Sequence, residues 1–396
     1  MNKLLNNSLL ILRYILIIFI VTFLIGEIFF RIFKPMDTFS KLKEKVGNYY
    51  KISLSNSFEL KENYEGTQPS NDIRGEKVIL TTDKNGYRTT IPQPYNETNK
   101  KILFMGDSYT FGVYVNDADT YPSQFSKLLL KNKKSFNIIN AGSTNGPETD
   151  QQYVWLNNYL NENPCPEIVI LGFFLGNDFN FNQKYWVERD IANLPKKILR
   201  QDIFVDKNGF LKRSDREIHK ILKENLFKIP ILRNSHFLVA ITKIVKRIEF
   251  KILGKKPSGW KKSDFQHIYG IYTNSFLENE KLVFNMLENI NNKILKCKKN
   301  FLILILPINF MVNKDYLSMK FTKNSKLLKL EPNYYQRMEV ILKKKNINYL
   351  NIYNLMKNKD SINFFPSSGE VHFNSKGNNF VANEIYNYLI DKNLLK

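Results

Sequence analysis

The sequence predicts an α/β fold: a three-layer α/β/α sandwich around a five-stranded parallel sheet. Two observations carry that prediction. From residue 101 onward, short apolar runs alternate with segments of helical spacing, and strands alternating with helices call for a parallel sheet wrapped on both faces. The run Lys101-Ile-Leu-Phe-Met-Gly-Asp-Ser108 also breaks from apolar residues onto a hydroxyl. That puts Ser108 at the carboxyl end of a buried strand, where open parallel sheets place their ligands.

The elements follow in order. Leu9 to Gly26 is an apolar run long enough to cross a bilayer, with Arg13 near one end, where it can snorkel to the headgroups. Glu27 and Arg31 lie one helical turn apart at its exit and can pair. A cleaved signal peptide is the competing reading, but the run is long for one and no small-x-small cleavage site follows it. Residues 1–34 are therefore expected to be an uncleaved membrane anchor. Residues 35–100 read as a charged connector and a small β element, with a turn at Asp83-Lys-Asn-Gly86. No catalytic role is visible in them.

The domain proper is expected over 101–396. Its strands fall at Ile102–Met105, Phe136–Ile139, Ile168–Phe174, Phe301–Leu306 and Ile347–Ile352, with helical spacing over Tyr121–Leu130 and Gln151–Leu160. The stretch 180–296 is too long for one crossover. Leu277–Leu295 supplies the crossover helix, and about 180–270 is left as a helical insertion, a lid or substrate platform, with apolar-faced segments over Ile218–Leu253 broken at Pro230. Its basic part, Ser235–Leu253, either rests on anionic lipid or packs as an ordinary helix with solvated lysines.

Composition sets bounds. A hydrophobic content of 43% is enough for a real core, and the net charge of +22 first suggests an anionic partner. The basic residues are scattered, however, apart from clusters such as Lys343–Lys345 and Lys255-Lys256 with Lys261-Lys262, and no finger, helix-turn-helix or stacking motif accompanies them, which argues against nucleic acid. No paired Cys/His spacing suggests a metal, and the glycines form neither a phosphate loop nor a dinucleotide fingerprint, so no cofactor is expected. Cys165 and Cys297 each precede a predicted strand. Neighbouring parallel strands would bring them close enough for a disulfide; the alternative is two buried thiols.

A serine needs a base to become a nucleophile. Of the four histidines, His219, His236 and His267 lie in the insertion, whereas His372 follows the fifth strand and returns to the sheet edge of Ser108. Three further blocks accompany the serine: Asn140-Ala-Gly-Ser-Thr-Asn-Gly146, Gly176-Asn177-Asp178 and Glu370-Val-His372-Phe-Asn374. In this order they resemble the SGNH (GDSL-type) hydrolases, over about 101–180 and 300–390.

The resemblance implies an ester hydrolase working through an acyl-Ser108 intermediate, with His372 as general base. Its oxyanion donors would be the N–H of Ser108, a glycine N–H and the amide of Asn177. Spacing from Asn140 selects Asn145 for the middle donor, whereas aligning the residues after it selects Gly146, which is preferred; Gly142 then reads as a turn glycine. The family commonly carries an aspartate three residues before the histidine. Here that place is Gly369, and Glu370, two before, is the candidate orienting acid; a backbone carbonyl is the alternative. Asp107 and Asp178 read as loop-fixing acceptors.

The substrate is expected to be an acylated carbohydrate or small ester. The alternatives are an O-acyltransferase acting on an envelope polysaccharide and a silent anchored scaffold. Counting Lys3 and Arg13 against Arg31, Lys34, Lys41, Lys43 and Lys45 favours a cytoplasmic domain. Anchored relatives usually work on the envelope side, and the extracytoplasmic face is the expectation adopted.

Overall fold

The opening apolar run forms one continuous helix, α1 (Asn2–Phe33), in the computed structural model. Its stretch Arg13–Phe33 is long and apolar enough to cross a bilayer. The structure describes residues 2–35, 48–53, 57–73, 76–92, 100–144, 148–179, 185–191, 194–200, 203–205, 211–213, 229–242, 244, 262–313, 330–357, 361–366 and 370–395. The chain divides into two compact units, Met1–Val46 with Asp215–Trp260 and Gly47–Ser214 with Lys261–Lys396.

In the larger unit, four short strands come first: β1 (Tyr50–Ser53), β2 (Ser57–Leu60), β3 (Glu65–Pro69) and β4 (Lys77–Thr81), paired as two antiparallel hairpins. The main sheet then takes β5 (Lys100–Gly106), β6 (Phe136–Gly142) and β7 (Ile168–Phe174). Helix α2 (Ser108–Phe111) follows β5, α3 (Tyr121–Lys131) leads to β6, and α4 (Thr149–Glu162) leads to β7. Two hairpins come next, β8 (Tyr185–Arg189) with β9 (Pro195–Arg200) and β10 (Ile203–Val205) with β11 (Leu211–Arg213). The stretch read as a helical insertion therefore opens with strands. Alternation in these short pieces is too brief to separate the two periods.

Helix α5 (Asn274–Lys296) is the predicted crossover; β12 (Asn300–Leu306), α6 (Tyr334–Lys344), β13 (Asn348–Asn351) and α7 (Ser375–Asp391) complete the sandwich. The sheet order is β13-β12-β7-β5-β6, and every neighbouring pair is parallel. Helices α3 and α7 pack together, as do α4 and α5. Every residue of β7 is buried, as a strand covered on both faces must be. All five predicted strands are present, and a parallel sheet flanked by helices is the architecture that the likeness to SGNH hydrolases implies.

This order fixes where a site forms. From β5 the chain moves to β6 on one side and then returns to β7 on the other, so the connections diverge above the carboxyl ends of β5 and β7. Open α/β sheets bind ligands at such a switch point. Cys165 and Cys297 sit ahead of β7 and β12 as predicted, but as thiols, with Cys297 exposed instead of buried. Burial and a hydrogen bond with the Cys297 thiol push the Cys165 thiol up to about 12.

Candidate active site

Strand β5 ends on Gly106, whose φ of +148° lies in a region that side-chain-bearing residues avoid; a Cβ there would stand 2.2 Å from Thr110 Oγ1. Gly142 pairs with Gly106 across the sheet, and a Cβ on it would meet the backbone nitrogen of Phe111 at 2.2 Å. Expected as a turn glycine, Gly142 instead ends β6 and lets α2 lie directly on the strand tips. Asp107 caps α2 by accepting from Tyr109 N–H at 2.9 Å, and Ser108 takes the first helical position. An N–H at that position has no acceptor within its helix and points outward.

His372 arrives on the segment ahead of α7. Asn374 caps that helix, accepting from Gly377 N–H at 2.9 Å. The hydroxyl of Tyr109 donates to the Val371 carbonyl, and the amide of Asn309 donates to the Glu370 carbonyl at 3.0 Å. The residue after the serine thus ties down the segment that carries the histidine.

The result is a line of three side chains. Ser108 Oγ lies 2.8 Å from His372 Nε2, and His372 Nδ1 lies 2.9 Å from Glu370 Oε1. An ionised carboxylate can only accept, so Glu370 fixes the ring proton on Nδ1 and leaves Nε2 free to accept from the Ser108 hydroxyl. The Glu370 side chain is 36% exposed and that of His372 17%. Tyr109 packs on the imidazole at 5.1 Å, and Tyr114 meets it edge-on at 5.9 Å.

Beneath this line, Asn177 follows β7 and donates through Nδ2 to Asp107 Oδ2 at 3.2 Å, joining the two strand ends at the switch point. Burial pushes the Asp107 carboxyl up to about 6, against the pull of Tyr109 N–H and the imidazole of His372. Asp178 is raised as well, by burial and then by the charge of Asp107, while accepting from Phe174 N–H at 2.7 Å. Both act as loop-fixing acceptors. Gly146 and Gly369 lie outside the described residues, as does His219. His267 is buried, with Nε2 2.8 Å from the Leu175 carbonyl, and His236 belongs to the smaller unit.

Sequence reasoning missed Arg88. It is buried and salt-bridged to Asp117 at 2.9 Å, and its guanidinium donates to the carbonyls of Phe111 (2.9 Å), Gly112 and Val115 (2.6 Å). It therefore grips the turn directly after the serine helix. A lone arginine after a turn carries no periodic signal, so nothing in the sequence marked it. No cluster of metal-ligating side chains occurs among the described residues.

A hollow of about 350 Å³ opens between α4 and the β2 and Tyr87 region, with Gly106, Gly142 and Ser143 at one end. Trp155 stacks on Tyr159 at 5.4 Å and meets Tyr87 in a T-shaped contact at 6.0 Å. Asn85, Asn158, Glu59 and Glu162 also line it, and none of its described lining residues is Lys or Arg.

No protein-family model matches the chain, and no curated protein does either. Among solved structures it is similar to a lipase/acylhydrolase from Enterococcus faecalis, at 13% identity and a TM-score of 0.37, over 74% of this chain and 96% of that one. It is also similar to the psychrotrophic esterase EstA from Pseudoalteromonas sp., at 11% identity and a TM-score of 0.36, over 75% and 100%. A third is the acetyl xylan esterase AlAXEase, at 12% identity and a TM-score of 0.35, over 73% and 99%.

Proposed function

We propose that the chain is a membrane-anchored serine esterase of the SGNH type. The observation that carries this reading is the continuous hydrogen-bonded line from Ser108 Oγ through His372 to Glu370, at 2.8 and 2.9 Å. Ser108 Oγ attacks the ester carbonyl carbon and passes its proton to His372 Nε2. The oxyanion is held by the N–H of Ser108, the amide of Asn177 and the N–H of Gly146. Collapse of this intermediate breaks the bond to the alcohol oxygen, which leaves with the proton from Nε2. Water then attacks acyl-Ser108 with His372 again as base, and the free acid departs. Through both steps Glu370 holds Nδ1–H and balances the imidazolium.

The alcohol we assign is a sugar hydroxyl. What supports it is the hollow with Gly106 and Gly142 at one end: Tyr87, Trp155 and Tyr159 line it with aromatic surface, amides and carboxylates meet hydroxyls, and the described lining carries no cation for an anionic group. The enzyme would act from the extracytoplasmic side on acylated envelope glycans. A fluorophosphonate probe tests the nucleophile: it should label the wild type and leave Ser108→Ala unlabelled. Acetylated oligosaccharides should be cleaved faster than glycerides of equal acyl length. Free acetate released in the presence of a glycan acceptor marks hydrolysis, whereas acetylation of the acceptor would make the protein a transferase. An unlabelled wild type removes the enzyme reading.

A further inference from the structure

We infer that the segment 229–244 is a second membrane-contacting element, lying at the lipid surface against α1; the inference rests on reading α1 as a membrane span. It starts from Glu27. That carboxylate lies six residues, about 9 Å, short of the end of α1. The residues beyond it are apolar except Arg31, and Ile28, Phe29, Ile32 and Phe33 are 50–73% exposed. Side chains of that kind at that exposure belong in lipid, so Glu27 sits within the apolar zone and not past it.

A carboxylate there is costly unless its oxygens are satisfied. Glu27 accepts from Arg31 Nε at 2.7 Å, and its other donors come from the segment: Ser235 Oγ at 2.7 Å, His236 N–H at 3.2 Å and Phe237 N–H at 3.0 Å. The helical run over 236–242 is thereby capped by a side chain of the anchor, more than 200 residues away in sequence. Packing agrees with the hydrogen bonds. A Cβ on Gly26 would fall 2.4 Å from the ring of Phe237, and that ring sits 5.7 Å from Phe23 and 6.2 Å from Phe30.

Residues 235–237 therefore share the depth of Glu27. The same short segment exposes Ile229, Ile231, Ile241 and Ile244, at 47, 73, 38 and 48%. In water these isoleucines would lie open; at the boundary of headgroups and acyl chains they are covered. It also follows that α1 is a structural partner of the described residues 229–242. Cleavage as a signal sequence would take away their cap and their packing surface.

The test uses the full chain with Cys165→Ser and Cys297→Ser, placed in phosphatidylcholine/phosphatidylglycerol vesicles. Ile231→Cys, Ile241→Cys and Ile18→Cys each receive a polarity-sensitive fluorophore, and quenching by nitroxide-labelled lipid is read. Ile231 and Ile18 are exposed positions, so labelling leaves packing intact. The expected result is blue-shifted emission at all three, with at least half the fluorescence at 231 and 241 quenched by headgroup-proximal nitroxide. Water-like, unquenched emission at both 231 and 241 with strong quenching at 18 would overturn the inference and keep the span. Absence of quenching at 18 as well would remove the span itself.

Discussion

Two groups of carboxylates surround Ser108, and they do opposite work. At the mouth of the site, Glu370 is 36% exposed and bonds the imidazole directly. Beneath it, Asp107 and Asp178 are fully buried and accept from the backbone N–H groups of Tyr109 and Phe174. A carboxylate that balances a transient imidazolium has to stay ionised, which contact with water allows. One that only shapes a loop does not, and burial raises both lower acids. The acid adjacent to the serine in sequence is thus not the one that serves the histidine.

The largest effect that would sharpen this contrast belongs to the mouth. Glu370→Gln keeps the shape and removes the charge, so kcat/KM for an activated ester should fall on the order of 10³-fold, below the roughly 10⁴-fold typical of a buried triad acid. The melting temperature should stay put. A loss under threefold would mean that the imidazole needs no carboxylate and that mouth and floor do not differ in kind. Asn177→Ala comes next, with an expected drop in kcat of roughly 10² to 10³ and little change in KM, as for a lost oxyanion donor. A change confined to KM would place the amide with substrate binding.

The smallest effect lies on the floor. In the folded protein Asp107 is raised from 3.8 to about 6, so the folded state holds its proton more tightly than the unfolded chain does. Stability contributed by this group is therefore lost as pH rises from about 4 to 6 and stays lost above. Asp107→Asn should gain up to about 3 kcal/mol over wild type above pH 6 and nothing below pH 4, with activity changed less than in the other two variants. Denaturant melts at pH 3.5, 5 and 7.5 read this out. A variant less stable than wild type at pH 7.5 would show that the bond from Asn177 outweighs the cost of burial.

Much of this was legible in the sequence because it rests on local patterning. Apolar runs such as Ile168–Phe174 declare buried strands, and the residues just past the end of each run sit at the rim, so Ser108 and Asn177 were placed by their strands alone. His372 could be found because it is the histidine outside the insertion. What stayed hidden are polar contacts set by three-dimensional approach. Neither the bond from Asn177 to Asp107 nor the cap that Glu27 gives to Ser235 and Phe237 has a spacing that announces it. The hairpins over Tyr185–Arg213 were missed because strands of three to six residues leave too few positions to distinguish their period from a helix.

The grip of Arg88 has a bearing on modularity. A chain begun at Lys100 would keep every strand of the main sheet, yet Asp117 would be left in the interior without its countercharge, a loss of about 3 to 5 kcal/mol. The carbonyls of Phe111 and Val115 would lose their donor in the same stroke. The minimal excisable unit therefore begins upstream of the sheet, with the small hairpins that lead to Arg88.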